Sequence, residues 1–195
     1  MVDRVAGVLL AAGTSSRMGT NKLLLPFGAR AVIARAASAA IVAGLDPVFV
    51  VVGHEADRVG AALVGLPVTL VLNLDYAAGI VTSLRTGMAA VPDDVPAAVV
   101  LLGDMPFVTG AMIAALVARA RAGADLVVST YGGELAPPFL YGSRYYPELR
   151  ALAGPGCGKQ VIKRHRADAV EIAWPVEAMR DLDEPADLAS LGEPT

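Results

Sequence analysis

The residues best suited to chemistry follow the first apolar run of the chain. Leu9-Leu10-Ala11-Ala12-Gly13-Thr14-Ser15-Ser16-Arg17-Met18-Gly19-Thr20-Asn21-Lys22 gathers small side chains, two glycines, hydroxyls and two cations. Small residues let the backbone approach a ligand closely, and successive N–H groups can form an anion-binding nest. Arg17 and Lys22 supply the positive charge that a triphosphate needs. The spacing excludes two familiar phosphate loops. Gly13 and Gly19 stand too far apart for G-x-x-x-x-G-K-[ST] and no Lys follows Gly19, while G-x-G-x-x-G is absent from the stretch. The plainer reading is an ordinary strand-to-helix loop with solvated charges. The coincidence of small residues and cations directly after the first strand favours a phosphate loop.

A second stretch, Val99-Val100-Leu101-Leu102-Gly103-Asp104-Met105-Pro106, puts a carboxylate directly after the most apolar run. Mg²⁺ takes one or two carboxylates together with phosphate oxygens and water. Asp104 could instead cap the next helix, but Thr109 is better placed for that, so Asp104 is the expected metal ligand. The third stretch is Asp181-Leu182-Asp183-Glu184-Pro185-Ala186-Asp187-Leu188. Its spacing alone reads as a helix start, with Pro185 in the first turn and acids favoured by the helix dipole. Asp183 is the first choice there for a second metal ligand.

These residues need elements to hold them. Strands are expected at Val5–Ala12, Val48–Val52, Val68–Asn73, Ala97–Leu102, Asp125–Thr130, Ala136–Tyr141 and Ala169–Ala173. Helices are expected at Ala31–Ala43, Glu55–Leu63, Ile80–Ala90, Ala111–Arg121, Pro147–Leu152, Cys157–His165 and Pro185–Leu191. Alternation of this kind implies a three-layer α/β/α fold on a mostly parallel, mixed sheet. Pro137-Pro138 should put its strand at an edge or in an irregular ladder. Ligands of such sheets bind beyond the carboxyl ends of the strands, where the loops singled out above begin.

The 195 residues carry 16 Lys and Arg against 19 Asp and Glu, for a net charge of −3. That balance excludes a broad basic surface for nucleic acid. An anionic ligand must be held by a few local cations and backbone N–H groups. No run approaches the roughly 20 apolar residues of a membrane span. Met1-Val2-Asp3-Arg4 has no leader-like start, and the single cysteine, Cys157, allows no intramolecular disulfide. The expectation is a cytoplasmic protein with residues 1–195 forming one domain.

Taken together, the run from Leu10 to Gly28, Gly103-Asp104-Met105-Pro106 and Asp181–Leu188 resembles the MobA-like nucleotidyltransferases, a Rossmann-like fold of the nucleotide-diphospho-sugar transferase type. Within that family the resemblance is strongest to the molybdenum cofactor cytidylyltransferases. It implies transfer of CMP from CTP to the phosphate of a molybdopterin-type cofactor, with release of pyrophosphate. It also implies Mg²⁺, and a molybdoenzyme or its maturation chaperone as downstream partner. The catalytic set would be Arg17, Lys22 and Asp104. Nucleotide contacts would come from Leu10, Ala11, Ala12, Gly13, Arg17, Lys22, Asn73, Ser83 and Gly103, and metal contacts from Asp104 and Asp183. The guanylyltransferases tend to carry Leu-Ala-Gly-Gly where this chain has Leu10-Ala11-Ala12-Gly13. Two departures, Ala136-Pro137-Pro138-Phe139 and Gly156-Cys157-Gly158-Lys159, fall on the acceptor side. The rival readings are a guanylyltransferase, a relative acting on another phosphorylated small molecule, and a non-catalytic nucleotide-binding regulator.

Four isolated residues have plainer roles. His54 reads as a helix-start residue. His165, among Lys163, Arg164 and Arg166, reads as part of a solvated helix face, with an acceptor phosphate as the alternative. Cys157 is expected to be non-catalytic, with Lys159 near enough to lower its pKa. Trp174 is expected to pack.

Overall fold

The computed structural model of the protein describes residues 2–13, 21–154 and 156–179. Strand β1 (Val5–Ala11) is buried throughout, as its unbroken apolar run requires of a strand covered on both faces. A small hairpin follows, β2 (Pro26–Phe27) and β3 (Arg30–Ala31), leading into α1 (Val32–Val42). The chain continues through β4 (Val48–Val52), α2 (Ala56–Ala62), β5 (Thr69–Leu72) and α3 (Ile80–Ala90). It then runs through β6 (Ala97–Leu102), α4 (Gly110–Arg121), β7 (Leu126–Tyr131) and β8 (Glu134–Gly142). Helices α5 (Tyr146–Arg150) and α6 (Lys159–Arg164) precede β9 (Ala169–Trp174).

The main sheet has seven strands in the order β5-β4-β1-β6-β8-β7-β9. The first four are parallel, β8 runs antiparallel to both β6 and β7, and β9 is parallel to β7. Side chains along β1 alternate between two cores. Val5, Leu9 and Ala11 join α1 and α4 on one face, whereas Ala6, Val8 and Leu10 join α3, α5 and α6 on the other. This is the expected three-layer, mostly parallel mixed sheet. Helix α4 starts as its cap predicts, with the Thr109 hydroxyl accepting from the Met112 N–H at 3.2 Å.

Three features differ from the sequence reading. The β2–β3 hairpin was not foreseen, because two-residue strands are too short to alternate legibly. The strand carrying Pro137-Pro138 is not an edge: β8 lies between β6 and β7 with its second half buried. Its ladder is irregular as expected. Pairing with β7 shifts register between Val128 and Thr130, opposite the prolines, which have no N–H to donate. Finally, α6 starts at Lys159 and not at Cys157, since Gly158 before it takes a left-handed φ of 75°. The helix expected at Pro185–Leu191 lies outside the described residues.

Candidate active site

From β1 the chain passes to β4 and β5 on one side, then returns to β6 on the other, so the switch of direction falls between β1 and β6. Loops leaving two such strands diverge and open a crevice at their carboxyl ends. A cleft of about 320 Å³ lies there, near the lower end of the roughly 300–1,000 Å³ usual for small-molecule sites. Leu10, Ala11, Ala12 and Gly13 contribute to its lining, and Lys22, Ser83, Leu102 and Asp104 border it.

Two local devices fix the charged side of this cleft. Asn21 is buried, and its Oδ1 accepts from the Leu23 N–H at 3.1 Å, starting the one-turn helix Lys22–Leu24 that carries Lys22. Across the switch, the Gly103 N–H donates to the Leu10 carbonyl at 2.9 Å, holding the Asp104 loop against β1. A Cβ at Gly103 would stand 2.9 Å from Ile33 Cδ1 and 3.1 Å from the Leu10 oxygen, so a larger residue would press on both and loosen this approach. The result is an ion pair between Lys22 Nζ and Asp104 Oδ2 at 2.7 Å, with side chains 21% and 25% exposed. A pair so accessible is screened by solvent and holds its partners weakly, so both can exchange onto a ligand at little cost.

The opposite wall is stiffened by Asn73. Its amide donates to Thr82 Oγ1 at 2.9 Å and Ser83 Oγ at 3.0 Å, and its Oδ1 accepts from the Asp75 N–H at 3.0 Å. The Thr82 hydroxyl in turn faces the Asp75 and Gly79 carbonyls at 3.0 and 2.8 Å. Asn73 therefore ties the end of β5, the turn Asp75–Gly79 and the start of α3 into one unit. Ser83 reaches the cleft, while Asn73 sits behind it. Thr82 and Tyr76 were not singled out from sequence. The hydroxyl pair Thr82-Ser83 after a glycine, and an aromatic near that glycine, were the available signals.

The structure thus brings together Leu10–Gly13, Lys22, Ser83, Gly103 and Asp104, with Asn73 as their support. Arg17 and Asp183 lie outside the described residues. Among the described residues no group of three or more His, Cys, Asp or Glu is gathered to hold a metal ion. Asp104 is a single hard oxygen donor on a cleft wall. That fits Mg²⁺ whose remaining ligands are phosphate oxygens and water, and does not fit an all-protein metal cage.

The acceptor-side segments flank the same loop. Pro137 and Pro138 border a small void with Leu102 and Met105. Cys157 is buried, and desolvation pushes its thiol up to about 12, with the Asp104 charge adding to the rise. Lys159 pulls the other way and loses, which corrects the expectation of a lowered pKa: burial outweighs one nearby cation. Three residues of the basic run at and just after the end of α6 face carboxylates. Arg164 pairs with Glu148, His165 Nε2 lies 2.8 Å from Glu148, and Arg166 lies 2.5 Å from Glu171. His54 follows β4 just before α2, and Trp174 Nε1 donates to Ser129 Oγ at 3.0 Å within the sheet.

A carboxylate and a lysine facing each other at the switch point of a mostly parallel sheet are an arrangement that an α/β protein can use to hold a phosphate ester. Comparison with known proteins narrows the class. Residues 7–170 match the MobA-like NTP transferase domain. PucB of Bacillus subtilis, a purine catabolism protein, is 30% identical over 191 residues, covering 92% of this chain and 91% of that protein. The bifunctional protein GlmU of Kineococcus radiotolerans is 35% identical over 141 residues, or 70% of this chain and 28% of that protein. The chain spans less than half the length of several curated relatives that it matches. Crystal structures of Rv0371c from Mycobacterium tuberculosis, one of them a manganese complex, superpose with TM-scores of 0.78 and 0.72 at 28% identity, covering 90% of each chain. The chain belongs to the MobA-like NTP transferase family. No helix among the described residues is long and apolar enough to cross a membrane.

Proposed function

We propose that this protein transfers CMP from CTP to the phosphate of a molybdopterin-type cofactor, releasing pyrophosphate, as a single cytoplasmic nucleotidyltransferase domain spanning residues 1–195. The observation that carries the reading is the Lys22–Asp104 pair at the mouth of a cleft floored by Leu10–Gly13. Lys22, with Arg17 from the loop outside the described residues, neutralises the triphosphate and the charge that grows as pyrophosphate leaves. Asp104 would hold Mg²⁺ together with phosphate oxygens, and Asp183 is the proposed second carboxylate. When bound, the ion supplies charge neutralisation to the triphosphate. The manganese complex of Rv0371c supports a divalent ion in a similar fold. The protein's own part is to align the acceptor phosphate with the α-phosphorus and to exclude water, so positioning dominates over covalent chemistry. The product serves a molybdoenzyme directly or through its maturation chaperone.

Ala12 supports the choice of base. It is buried and lines the cleft, so its methyl narrows space that a glycine would leave for a purine. Discrimination by overpacking reaches about 1–3 kcal/mol. Pyrophosphate release, measured for each nucleoside triphosphate with and without molybdopterin cofactor, tests both halves of the proposal. The expected result is release with CTP that needs both the cofactor and Mg²⁺. Preference for GTP in the wild type would sink the cytidylyl assignment. With Ala12→Gly, the ratio of CTP to GTP efficiency should fall, and an unchanged ratio would remove Ala12 as its cause.

A further inference from the structure

Two residues outside the expected set meet at the far side of the cleft. Gly53 ends β4, and Tyr76 opens the one-turn helix Tyr76–Ala78 between β5 and α3. A Cβ built on Gly53 would stand 2.8 Å from each of Tyr76 Cβ, Cγ and Cδ1, closer than real carbon contacts come. Those atoms are the root of the tyrosine side chain, so the ring cannot swing clear while its backbone stays in place. Gly53 is not among the residues with positive φ, so its backbone would accept an alanine. What the position requires is the room that glycine leaves. The Tyr76 ring rests in that room and lines the cleft, with the His54 ring beside it at 6.1 Å between centroids.

The order of strands gives the cleft two unlike ends. Asp104 lies over β6, the floor Leu10–Gly13 over β1, and Gly53 with Tyr76 over β4 and β5. Adjacent strands are about 4.8 Å apart, so the carboxylate end and the aromatic end are separated by roughly two strand spacings. Ala77 and Ile80 flank Tyr76 at its end, and among the described residues Tyr76 is the sole aromatic lining the cleft. A nucleotide has the same division: a highly charged phosphate chain, and a planar, weakly polar base.

We infer that Tyr76 is the stacking platform for the nucleotide base, and that Gly53 is the seat that holds its ring in place. The inference rests on the nucleotide reading of this cleft. Every base presents a π-face, so stacking contributes affinity with little preference among bases. Tyr76 then sets how tightly any base is held, while Ala12 sets how large a base is admitted.

Calorimetric titration in the presence of Mg²⁺ tests this with CTP, CMP and inorganic tripolyphosphate, the last lacking any base. Tyr76→Ala should weaken CTP and CMP roughly ten- to a hundredfold and leave tripolyphosphate within about twofold. Tyr76→Phe, which keeps the ring, should bind all three as the wild type does. Gly53→Ala should reproduce Tyr76→Ala, and the double variant should lose no more than either single one, because both changes remove the same contact. If Tyr76→Ala binds CTP like the wild type, the stacking role is overturned and the nucleotide reading stands. Equal loss of tripolyphosphate and CTP in Tyr76→Ala would reduce Tyr76 to a packing residue and overturn the inference. Wild-type affinity in Gly53→Ala beside a defective Tyr76→Ala would overturn the seat. A wild type that binds tripolyphosphate but neither CTP nor CMP would overturn the nucleotide reading itself.

Discussion

The mouth of the cleft and the outer face of α6 both bring cations against carboxylates, and only their positions in the fold set them apart. On the α6 side, Arg164, His165 and Arg166 meet Glu148 and Glu171, forming a dense and mostly exposed cluster. At the cleft Lys22 meets Asp104. The cleft is the better candidate for chemistry, because Lys22 and Asp104 stand at the ends of parallel strands, where diverging loops leave room for a ligand. The α6 cluster pairs its cations with carboxylates of α5 and β9, away from the carboxyl ends of β1 and β6. The position of a charge relative to strand ends therefore separates two contacts that residue type alone does not.

Breaking each cluster in turn should show the contrast at its largest. Asp104→Asn keeps the size of the side chain and removes its charge, and turnover should fall at least ~10²-fold, as for other single electrostatic contacts in a transition state. Glu148→Gln, the matching change in the α6 cluster, should leave turnover within about twofold and cost no more than an exposed ion pair is worth, ~1 kcal/mol or less. Steady-state kinetics with saturating Mg²⁺ on both variants decides the matter. Near-normal turnover in Asp104→Asn would remove that residue from the catalytic set.

A smaller effect sharpens the same comparison. Lys22→Ala should raise KM for the triphosphate about tenfold or more, the loss of a charge-assisted contact. The melting temperature should barely move, since the pair it breaks is partly exposed. Arg166→Ala should change neither quantity. A large fall in melting temperature for Lys22→Ala with unchanged KM would make Lys22 structural.

Most of this arrangement was legible in the residues, for reasons that differ from place to place. The parallel half of the sheet could be read because its strands are unbroken apolar runs ending in Gly or Asp, as in Val99–Asp104. The position of β8 could not be read, because Pro137-Pro138 signals a broken ladder without saying which neighbours it is broken against. Lys22 and Asp104 were legible as candidates from their types and flanks. The support beneath them was not: nothing local in sequence says that Asn73 will hold Thr82 and Ser83 from behind, or that Gly53 will seat Tyr76. Both relations join residues brought together only when β4 and β5 line up beside β1. The direction of the Cys157 pKa was not legible for a related reason. Lys159 is visible two residues away, whereas burial by side chains from the second core is not.

That burial yields the smallest predicted effect, which appears at high pH. Tyr141 and Cys157 sit together in the core beneath α5 and α6, and burial raises the pKa of both, with the Tyr141 hydroxyl pushed well above 10.0. Tyr131 and Tyr146 are raised in the same direction by desolvation. A group whose folded pKa is raised keeps its proton longer in the folded chain than in the unfolded one. For Cys157 the unfolded value is 9.0 and the folded value about 12, so its contribution is whole below about pH 9 and is lost as pH climbs towards 12. Urea denaturation at pH 7, 9 and 11 should therefore show stability level over the first step and falling over the second. Replacing Cys157 with Ala should flatten part of that fall. The thiol offers a direct check in native protein at pH 8, where iodoacetamide should modify Cys157 far more slowly than it does in urea, because the thiol is both protonated and enclosed. Native and denatured chains that react at the same rate would mean that the segment before α6 opens readily. Cys157 would then belong with the exposed face of that helix, and not with the core behind the cleft.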